Sequence, residues 1–383
     1  MGYQKTRRLT GSGTLAGLAA PYALVRAVVR RDWRFLQITL VACAVAAVVT
    51  AFQYQVYTSF VRAGSAGPRY IGGAVWVSAG SIECFDFPGQ IGEDYAGLLA
   101  RHFGGGAARR VAFGFTGWTS PTGRRGNIAV IGIDGAAGDD GTVLTDTGFI
   151  ADRSDLARLD LGGNGAQIAT LGGETMALSG VTERLPTFLG APYVVTSFAA
   201  ARRLLHMDPG SAAYLVFDGA APDPAALKAA QVQYPELTLR TTHAFERSSS
   251  RYWQFKTGAG AAILLAAVLA SLLMMILLAN GVLRFLQRYA QDLLSMVGHG
   301  GGQREVWLVA GGIAVVVAAG TMAAMLALTP LMIALARPLL PWVKFVAADT
   351  LAPAAAMLLA LVAAIASAGG AVRQYGPEAV FRT

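Results

Sequence analysis

The segment TGAGAAILLAAVLASLLMMILLANGVL, residues 257–283, contains no charged side chain. At about 1.5 Å of rise per residue, a helix of this length exceeds the ~30 Å hydrocarbon core of a bilayer. Backbone that crosses lipid must satisfy its own N–H and C=O groups, and an α-helix does so. The segment therefore predicts a membrane-spanning helix. The alternative is a buried helix of a soluble protein, which is seldom apolar on all sides over such a length.

Three more apolar runs bring the number of predicted spans to four, at residues 35–57, 257–283, 306–336 and 350–372. The whole chain is 54% hydrophobic and only 14% charged, which is typical of a membrane protein. Its formal net charge of +8 could indicate a nucleic-acid partner. However, the basic residues cluster beside the apolar runs, so membrane topology explains them better, and we expect no nucleic acid.

Residues 58–256 are mixed and polar, and they are long enough to form a domain with its own core. Residues 92–103, 198–206 and 222–233 have helical spacing, and Ser197 is a candidate N-cap. Four β-branched runs predict strands: GAVWVSA, NIAVIGID, AYLVFDG and LTLRTT. Because there is no strict βαβ repeat, the predicted fold is a multi-pass α-helical membrane protein with a large extracytoplasmic α+β domain between spans 1 and 2. Periodicity alone does not decide the topology of that domain.

The distribution of basic residues predicts the orientation of the spans. Lysines and arginines are concentrated in residues 1–34, 284–305 and 373–383, whereas the short loop 337–349 contains only two. Short loops rich in Lys and Arg stay in the cytoplasm, and long loops cross regardless of their charge. We therefore expect cytoplasmic termini and an outer location for residues 58–256.

Aromatic and basic residues at the ends of the spans are candidate membrane-interface anchors. They are Trp33, Arg34, Trp253, Arg284, Arg288 and Trp307. Before the first span, residues 21–34 have apolar side chains on one helical face and arginines elsewhere, which predicts a helix lying on the membrane surface. The alternative is a continuation of the first span.

Motifs of common catalytic sites are missing from the sequence. There is no GxxxxGK[ST] phosphate loop, no HExxH zinc motif and no GxSxG nucleophile motif. The acidic loop GIDGAAGDDG lacks the spacing of an EF-hand. Cys43 lies in an apolar run and Cys84 in the polar domain, so we expect no disulfide and no metal site. The sequence predicts neither an enzyme nor a cofactor site in this chain.

The loop between spans 2 and 3 contains YAQDLLSMV, residues 289–297, which has the spacing of a short amphipathic helix that Gly298 and the glycines at 300–302 interrupt. Leu293, Met296 and Val297 form its apolar side. One interpretation is an extension of the second span, and the other is a segment that docks into a cytoplasmic motor protein.

The order of one span, a large domain and three spans, together with several segments, resembles the MacB/FtsX class of ABC-transporter permeases. Within that class the DevC-type exporter permeases are the most similar. The loop segment resembles Y-A-x-x-L-L-x-x-x-G, and the end of the chain resembles D-P-A-E-x-x-R. Other similar segments are AVWVSAGSIECFD, IAVIGID, APYVVTSFAAARRLL, RYWQFKTGAGAAILLA and GPEAVFR. There are two departures: His299 and three glycines stand where the family has G-A-S-R-R, and Gly376 replaces an acidic residue.

The resemblance implies a permease that does not hydrolyse ATP itself, in a bacterial inner membrane. ATP and Mg²⁺ would be bound by a partner ABC ATPase. A second copy of this chain, a periplasmic adaptor protein and an outer-membrane channel are the other implied partners. The residues implied in ATPase contact are Leu293, Leu294, Met296, Val297 and Gly298.

Two other functions remain open at this point. An FtsX-like permease could activate an extracytoplasmic hydrolase instead of exporting a substrate. A membrane-anchored sensor could bind a ligand with its outer domain and need no ATPase at all.

Overall fold

The computed structural model describes residues 23, 25–27, 30–31, 33–103, 106–137, 139, 141, 143–161, 167–187, 190–220, 222–298 and 303–374. These residues divide into two compact units. The membrane unit comprises Met1–Tyr57, Ile263–Leu335 and Phe345–Thr383, and the sheet unit comprises Thr58–Ala262 and Ala336–Lys344.

Four helices of the described chain are long and apolar enough to cross a membrane, as the sequence predicts. Their bounds are α1 Trp33–Ala63, α7 Ala259–Arg288, α9 Gln303–Ala336 and α10 Leu351–Gln374. A shorter helix, α8 Ala290–Gly298, follows α7, and a single 3₁₀ turn, Ala347–Thr350, precedes α10. Pro330 lies inside α9.

Small residues allow the helices of the membrane unit to approach each other closely. A Cβ atom added at Gly281 would lie 2.6 Å from the Thr39 side chain, and one at Gly320 would lie 2.6 Å from Leu40. Of the predicted surface helix at 21–34, the structure describes residues 23, 25–27, 30–31 and 33–34, and these residues are helical. One described residue of it, Val25, packs on the apolar cluster of this unit.

The sheet unit contains a nine-stranded mixed sheet and a separate two-stranded one. The strands are β1 Val75–Ala79, β2 Ile91–Gly92, β3 Ala108–Thr119, β4 Arg125–Ile133, β5 Gly148–Asp152, β6 Ile168–Leu171, β7 Glu174–Thr182, β8 Tyr193–Ser197, β9 Ser211–Ala212, β10 Tyr214–Phe217 and β11 Leu237–Thr241. The large sheet has the order β11-β1-β10-β3-β4-β8-β5-β7-β6, and β6 also pairs with β3. Pairings β4–β8 and β5–β7 are parallel, and the others are antiparallel.

Five helices belong to the same unit: α2 Ala66–Ile71, α3 Tyr95–Ala100, α4 Phe198–Leu204, α5 Pro224–Gln233 and α6 Thr242–Arg251. The α+β class and all four predicted strands are therefore confirmed. Ser197 is also confirmed as an N-cap, since its side chain accepts a hydrogen bond from Ala200 N. The other seven strands were not predicted from the sequence: β2 and β9 have only two residues each, and β5 and β8 are buried on both faces, so they show no two-residue alternation.

The segment by which the chain enters the sheet unit lies next to the segment by which it leaves. Strand β1 comes soon after α1, and it pairs with β11, which precedes α6 and α7. Ser250 Oγ donates to the Val61 carbonyl at 3.0 Å, and a Cβ at Gly64 would lie 2.6 Å from the Trp253 ring. The end of α1 and the segment after α6 are thus packed against each other.

Part of the loop predicted at 337–349 belongs to the sheet unit. The Trp342 ring lies 6.0 Å from the Phe60 ring, and Lys344 Nζ donates to the Glu183 carbonyl at 2.7 Å. Residues 336–344 therefore pack on the rest of the sheet unit.

Helix α4 packs on the sheet at a glycine. A Cβ at Gly132 in β4 would lie 2.2 Å from Ala201 Cβ in α4, whereas Gly117 in β3 has open space. We predict that Gly132→Ala lowers the free energy of unfolding by about 1–3 kcal/mol, because overpacking forces the helix away from the strand. The measurement is the thermal unfolding midpoint of the detergent-purified protein, followed by tryptophan fluorescence.

The matched control is Gly117→Ala, which adds the same methyl group to a strand position without a neighbour. We expect its midpoint to stay close to that of the unchanged protein. Equal midpoints for the two variants would contradict the proposed close packing of α4 on β4.

Candidate functional site

The segment predicted to couple to a partner begins where α7 ends. Arg288 is the last residue of α7, and α8 starts at Ala290. Between the two helices, the Tyr289 ring stacks on the Phe285 ring at a centroid distance of 4.6 Å. The Leu293 N–H donates to the Tyr289 carbonyl at 2.9 Å, so the helical hydrogen bonding almost continues through the junction. The short helix predicted at 289–297 is therefore present and directly extends the span, but it includes Gly298, which was expected to break it.

The side chains of α8 differ in exposure. Leu293 is 6% exposed and packs in the apolar cluster of the membrane unit. Gln291, Asp292 and Ser295 are exposed. The side chains of Leu294, Met296, Val297 and Gly298 lie outside the described ones. Of the five residues predicted for partner contact, Leu293 thus faces inward and holds α8 against the bundle.

The six candidate interface anchors also differ in their surroundings. Trp33 is 50% exposed, Arg34, Arg284 and Arg288 are exposed, and Trp307 is half-buried. Trp253 requires a correction, because it is only 5% exposed and lies inside the sheet unit. Its indole is therefore not available to lipid headgroups.

The indole of Trp253 is held by a buried carboxylate. Trp253 Nε1 donates to Asp86 Oδ2 at 2.9 Å, and the Tyr193 hydroxyl donates to Asp86 Oδ1 at 2.8 Å. Asp86 is 4% exposed, and the Cys84 sulfur lies 3.7 Å from Oδ2. We call Asp86, Tyr193 and Trp253 the Asp86 clamp. It joins three segments that are far apart in the sequence.

Burial is the main influence on the Asp86 carboxyl. Removal from water raises its pKa above the ordinary value, and the hydrogen bonds from Tyr193, Trp253 and Cys84 oppose this rise. The same burial, together with the Asp86 carboxylate, raises the pKa of the Tyr193 hydroxyl. Tyr193 therefore remains a protonated donor to the carboxylate at neutral pH.

Aromatic side chains surround the segment that carries Asp86. The Phe85 ring stacks on Tyr214 at 5.4 Å and lies 4.7 Å from Phe113. The Phe85 N–H donates to Ser249 Oγ of α6 at 3.1 Å, and the Tyr214 hydroxyl donates to the Phe85 carbonyl at 2.8 Å. These contacts fix α6 on the sheet next to the clamp.

The connection from α6 to α7 is helical but interrupted. A π-helical turn, Tyr252–Lys256, continues α6, and Thr257 Oγ1 donates to the Trp253 carbonyl at 2.9 Å. Gly258 has φ +73°, a conformation that glycine adopts easily, and α7 begins at the next residue. The connection between α6 and α7 is therefore short, and its helical conformation is interrupted at Thr257 and Gly258.

Sequence reasoning did not identify the Asp86 clamp. Asp86 is one acidic residue in a mixed segment, and its two donors are 107 and 167 positions away. The only signal in the sequence was that Asp86, Tyr193 and Trp253 lie in three of the segments that resemble the permease family. No spacing rule connects residues at such separations.

No protein-family model and no curated protein matches this chain. Among solved structures, it is similar to the periplasmic region of MacB from Actinobacillus actinomycetemcomitans, with 8% identity, a TM-score of 0.34, and coverage of 46% of this chain and 92% of that one. It is also similar to the extracellular domain of the noncanonic ABC-type transporter YknZ from Gram-positive bacteria, with 13% identity, a TM-score of 0.31, and coverage of 44% and 98%. At these TM-scores neither likeness establishes a shared fold.

The Asp86 clamp leads to a prediction about the segment before α7. Trp253→Phe keeps an aromatic ring but removes the N–H donor, which leaves a buried carboxylate oxygen without that bond, at a cost of about 1–3 kcal/mol. We expect faster backbone hydrogen exchange over residues 252–257 and unchanged exchange in β3 and β4. The measurement is hydrogen–deuterium exchange of the full-length protein in detergent.

Trp342→Phe is the matched control, since Trp342 is also in the sheet unit and contacts Phe60 by its ring. It should leave exchange at 252–257 unchanged. If Trp253→Phe behaves like this control, the Asp86 bond does not hold the segment in place.

Proposed function

We propose that this chain is the permease subunit of an ABC-type exporter, driven by a separate ATPase. The observation that carries the proposal is the helical path from Thr242 to Gly298. It consists of α6, the π-helical turn, α7 and α8, with short interruptions at Thr257–Gly258 and Tyr289. Such a path can transmit a displacement along the chain from one end to the other.

The ends of this path suit the transmission of force. At one end, the Asp86 clamp and Phe85 attach the path to the large sheet. At the other end, the stacked rings of Phe285 and Tyr289 and the buried Leu293 attach α8 to the helices of the membrane unit. Closely packed groups transmit displacement because the interior of a protein is barely compressible.

The composition of the spans supports a mechanism in which the helices move, and not one in which a polar substrate passes between them. Residues 35–61, 257–283, 306–336 and 351–372 contain no Asp, Glu, Lys or Arg. Proton and ion pathways through membrane helices usually need such residues. Several polar side chains bond to their own helix instead: Thr50 Oγ1 donates to the Ala46 carbonyl at 2.8 Å, and Ser271 Oγ donates to the Ala267 carbonyl at 2.8 Å.

In the proposed mechanism, the ATPase binds ATP and Mg²⁺, and its closure displaces α8. Helix α7 carries this displacement to the turn 252–256, and the Asp86 clamp passes it to the sheet unit. The sheet unit then acts on a substrate or on an adaptor protein. Two copies of this chain would form the working unit, each contacting one ATPase subunit.

The proposed location is a bacterial inner membrane, with the termini and α8 in the cytoplasm and the sheet unit in the periplasm. The support is the concentration of arginines and lysines in residues 1–34, 284–305 and 373–383. An outer-membrane channel and an adaptor would complete an export path across the cell envelope.

The contact with the ATPase can be tested at α8. We predict that Met296→Asp lowers the amount of ATPase that co-purifies from native membranes by at least about tenfold, because a carboxylate must be desolvated in an apolar contact. The measurement is quantitative mass spectrometry of affinity-purified complexes. The elution volume in size-exclusion chromatography verifies that the variant still inserts and folds.

The matched control is Gln291→Asp, which introduces the same charge at an exposed position of the same helix. It should leave co-purification unchanged. Equal loss in both variants, or no loss in either, would contradict the residues assigned to the contact. An ATPase that never co-purifies with the unchanged chain would contradict the proposed function.

A further inference from the structure

A basic groove lies in the sheet unit, apart from the Asp86 clamp. Its volume is about 640 Å³, and residues of β11, α6, the π-helical turn and the loop after β1 line it. The charged side chains among them are Glu83, Arg240, Arg247, Arg251 and Lys256. Four cations and one carboxylate give a formal charge of +3 at the groove.

The single carboxylate of the groove forms a salt bridge with only one of the four cations. Lys256 Nζ lies 3.3 Å from Glu83 Oε2. Among the described residues, no carboxylate oxygen lies within 4.0 Å of Arg240, Arg247 or Arg251. Arg247 and Arg251 are four positions apart on α6, so they lie on the same side of that helix. Three guanidinium groups thus line one groove, and among the described residues none of them has a carboxylate within salt-bridge distance.

Arg240 is held in a fixed orientation. Its Nη1 donates to Ser248 Oγ at 3.0 Å, and the Ser248 hydroxyl in turn donates to the Glu83 carbonyl at 2.6 Å. Burial lowers the pKa of Arg240, and the nearby Glu83 carboxylate and Tyr214 hydroxyl act in the opposite direction. A half-buried guanidinium without a carboxylate partner gains from an anion that enters the groove.

The position of the groove in the chain indicates the source of the anion. Lys256 is three residues before Ala259, where the apolar helix α7 begins, so the groove lies within about 11 Å of that helix start. Phe255 also lines the groove, and its ring is 63% exposed. Exposed aromatic rings next to a spanning helix are typical of the interface between headgroups and acyl chains.

We propose that this groove binds the phosphate group of an anionic membrane lipid. The arginines would contact the phosphate oxygens, since guanidinium forks match phosphate geometry. Phe255 would contact the glycerol and upper acyl carbons. A free phosphate ion would use the same arginines but not Phe255, so the two sources of phosphate can be distinguished. The assignment is independent of the ATPase contact at α8.

The test uses the full-length protein purified in an uncharged detergent. Isothermal titration is performed with dihexanoyl phosphatidylglycerol, dihexanoyl phosphatidylcholine and inorganic phosphate. We expect phosphatidylglycerol to bind most tightly. Arg247→Gln combined with Arg251→Gln should weaken its binding by at least about tenfold, because two charge-assisted contacts are lost. Phe255→Ser should weaken phosphatidylglycerol binding and leave phosphate binding unchanged.

The control double variant is Arg101→Gln with Arg125→Gln, which removes two exposed arginines of the same unit that do not line the groove. It should bind phosphatidylglycerol like the unchanged protein. If the groove variant is unstable, Arg251→Gln alone replaces it, with an expected loss of several-fold.

Several outcomes would overturn the assignment. The first is equal affinity for inorganic phosphate and phosphatidylglycerol, which would indicate a site for the free ion. The second is an equal effect of both double variants, which would indicate non-specific attraction to the basic surface. The third is no binding of phosphatidylglycerol. The fourth is that a glutamate-rich peptide, added as a competitor, binds more tightly than phosphatidylglycerol.

Discussion

A bilayer offers no hydrogen-bond partner to the backbone, and this constraint divides the chain into its two units. Segments that cross lipid must be helices, and α1, α7, α9 and α10 meet this requirement over more than the thickness of the hydrocarbon core. Their buried hydroxyl groups follow the same rule, as Thr50 and Ser271 bond to carbonyls one turn earlier. The sheet unit has exposed strand edges and loops, which only water or another protein can satisfy.

The sheet order places the two ends of the sheet unit's chain next to each other. Because β1 pairs with both β10 and β11, the chain entering the unit and the chain leaving it are neighbours. The Asp86 clamp and the aromatic cluster around Phe85 then attach α6 and the turn after it to this edge of the sheet. In the proposed mechanism, a displacement of α7 would act on the strand layer through these buried bonds, along a helical path that is interrupted at Thr257–Gly258 and at Tyr289.

The basic groove and the clamp lie on the same stretch of chain but have different chemistry. In the clamp, a carboxylate is removed from water and accepts hydrogen bonds from the neutral side chains of Tyr193, Trp253 and Cys84, which makes it a structural element. In the groove, three guanidinium groups remain partly hydrated, and among the described residues none of them forms a salt bridge with a carboxylate. An anionic lipid bound there would contact α6 and the turn that precedes α7. It would therefore act on the same connection that the proposed ATPase motion uses.

The sequence by itself determined the four spans, the α+β class, four of the strands, the Ser197 cap and the helical character of residues 289–297. These features depend on composition and on spacing within a few turns, where neighbouring residues decide the local conformation. The tertiary structure alone decided the pairing of β1 with β10 and β11, the burial of Trp253 on Asp86, the inward position of Leu293 and the assembly of Arg240 with Arg247 and Arg251. Burial and pairing depend on partners that are distant in the chain. The local pattern therefore predicted Trp253 to be an interface anchor. The folded sheet instead makes it a buried hydrogen-bond donor.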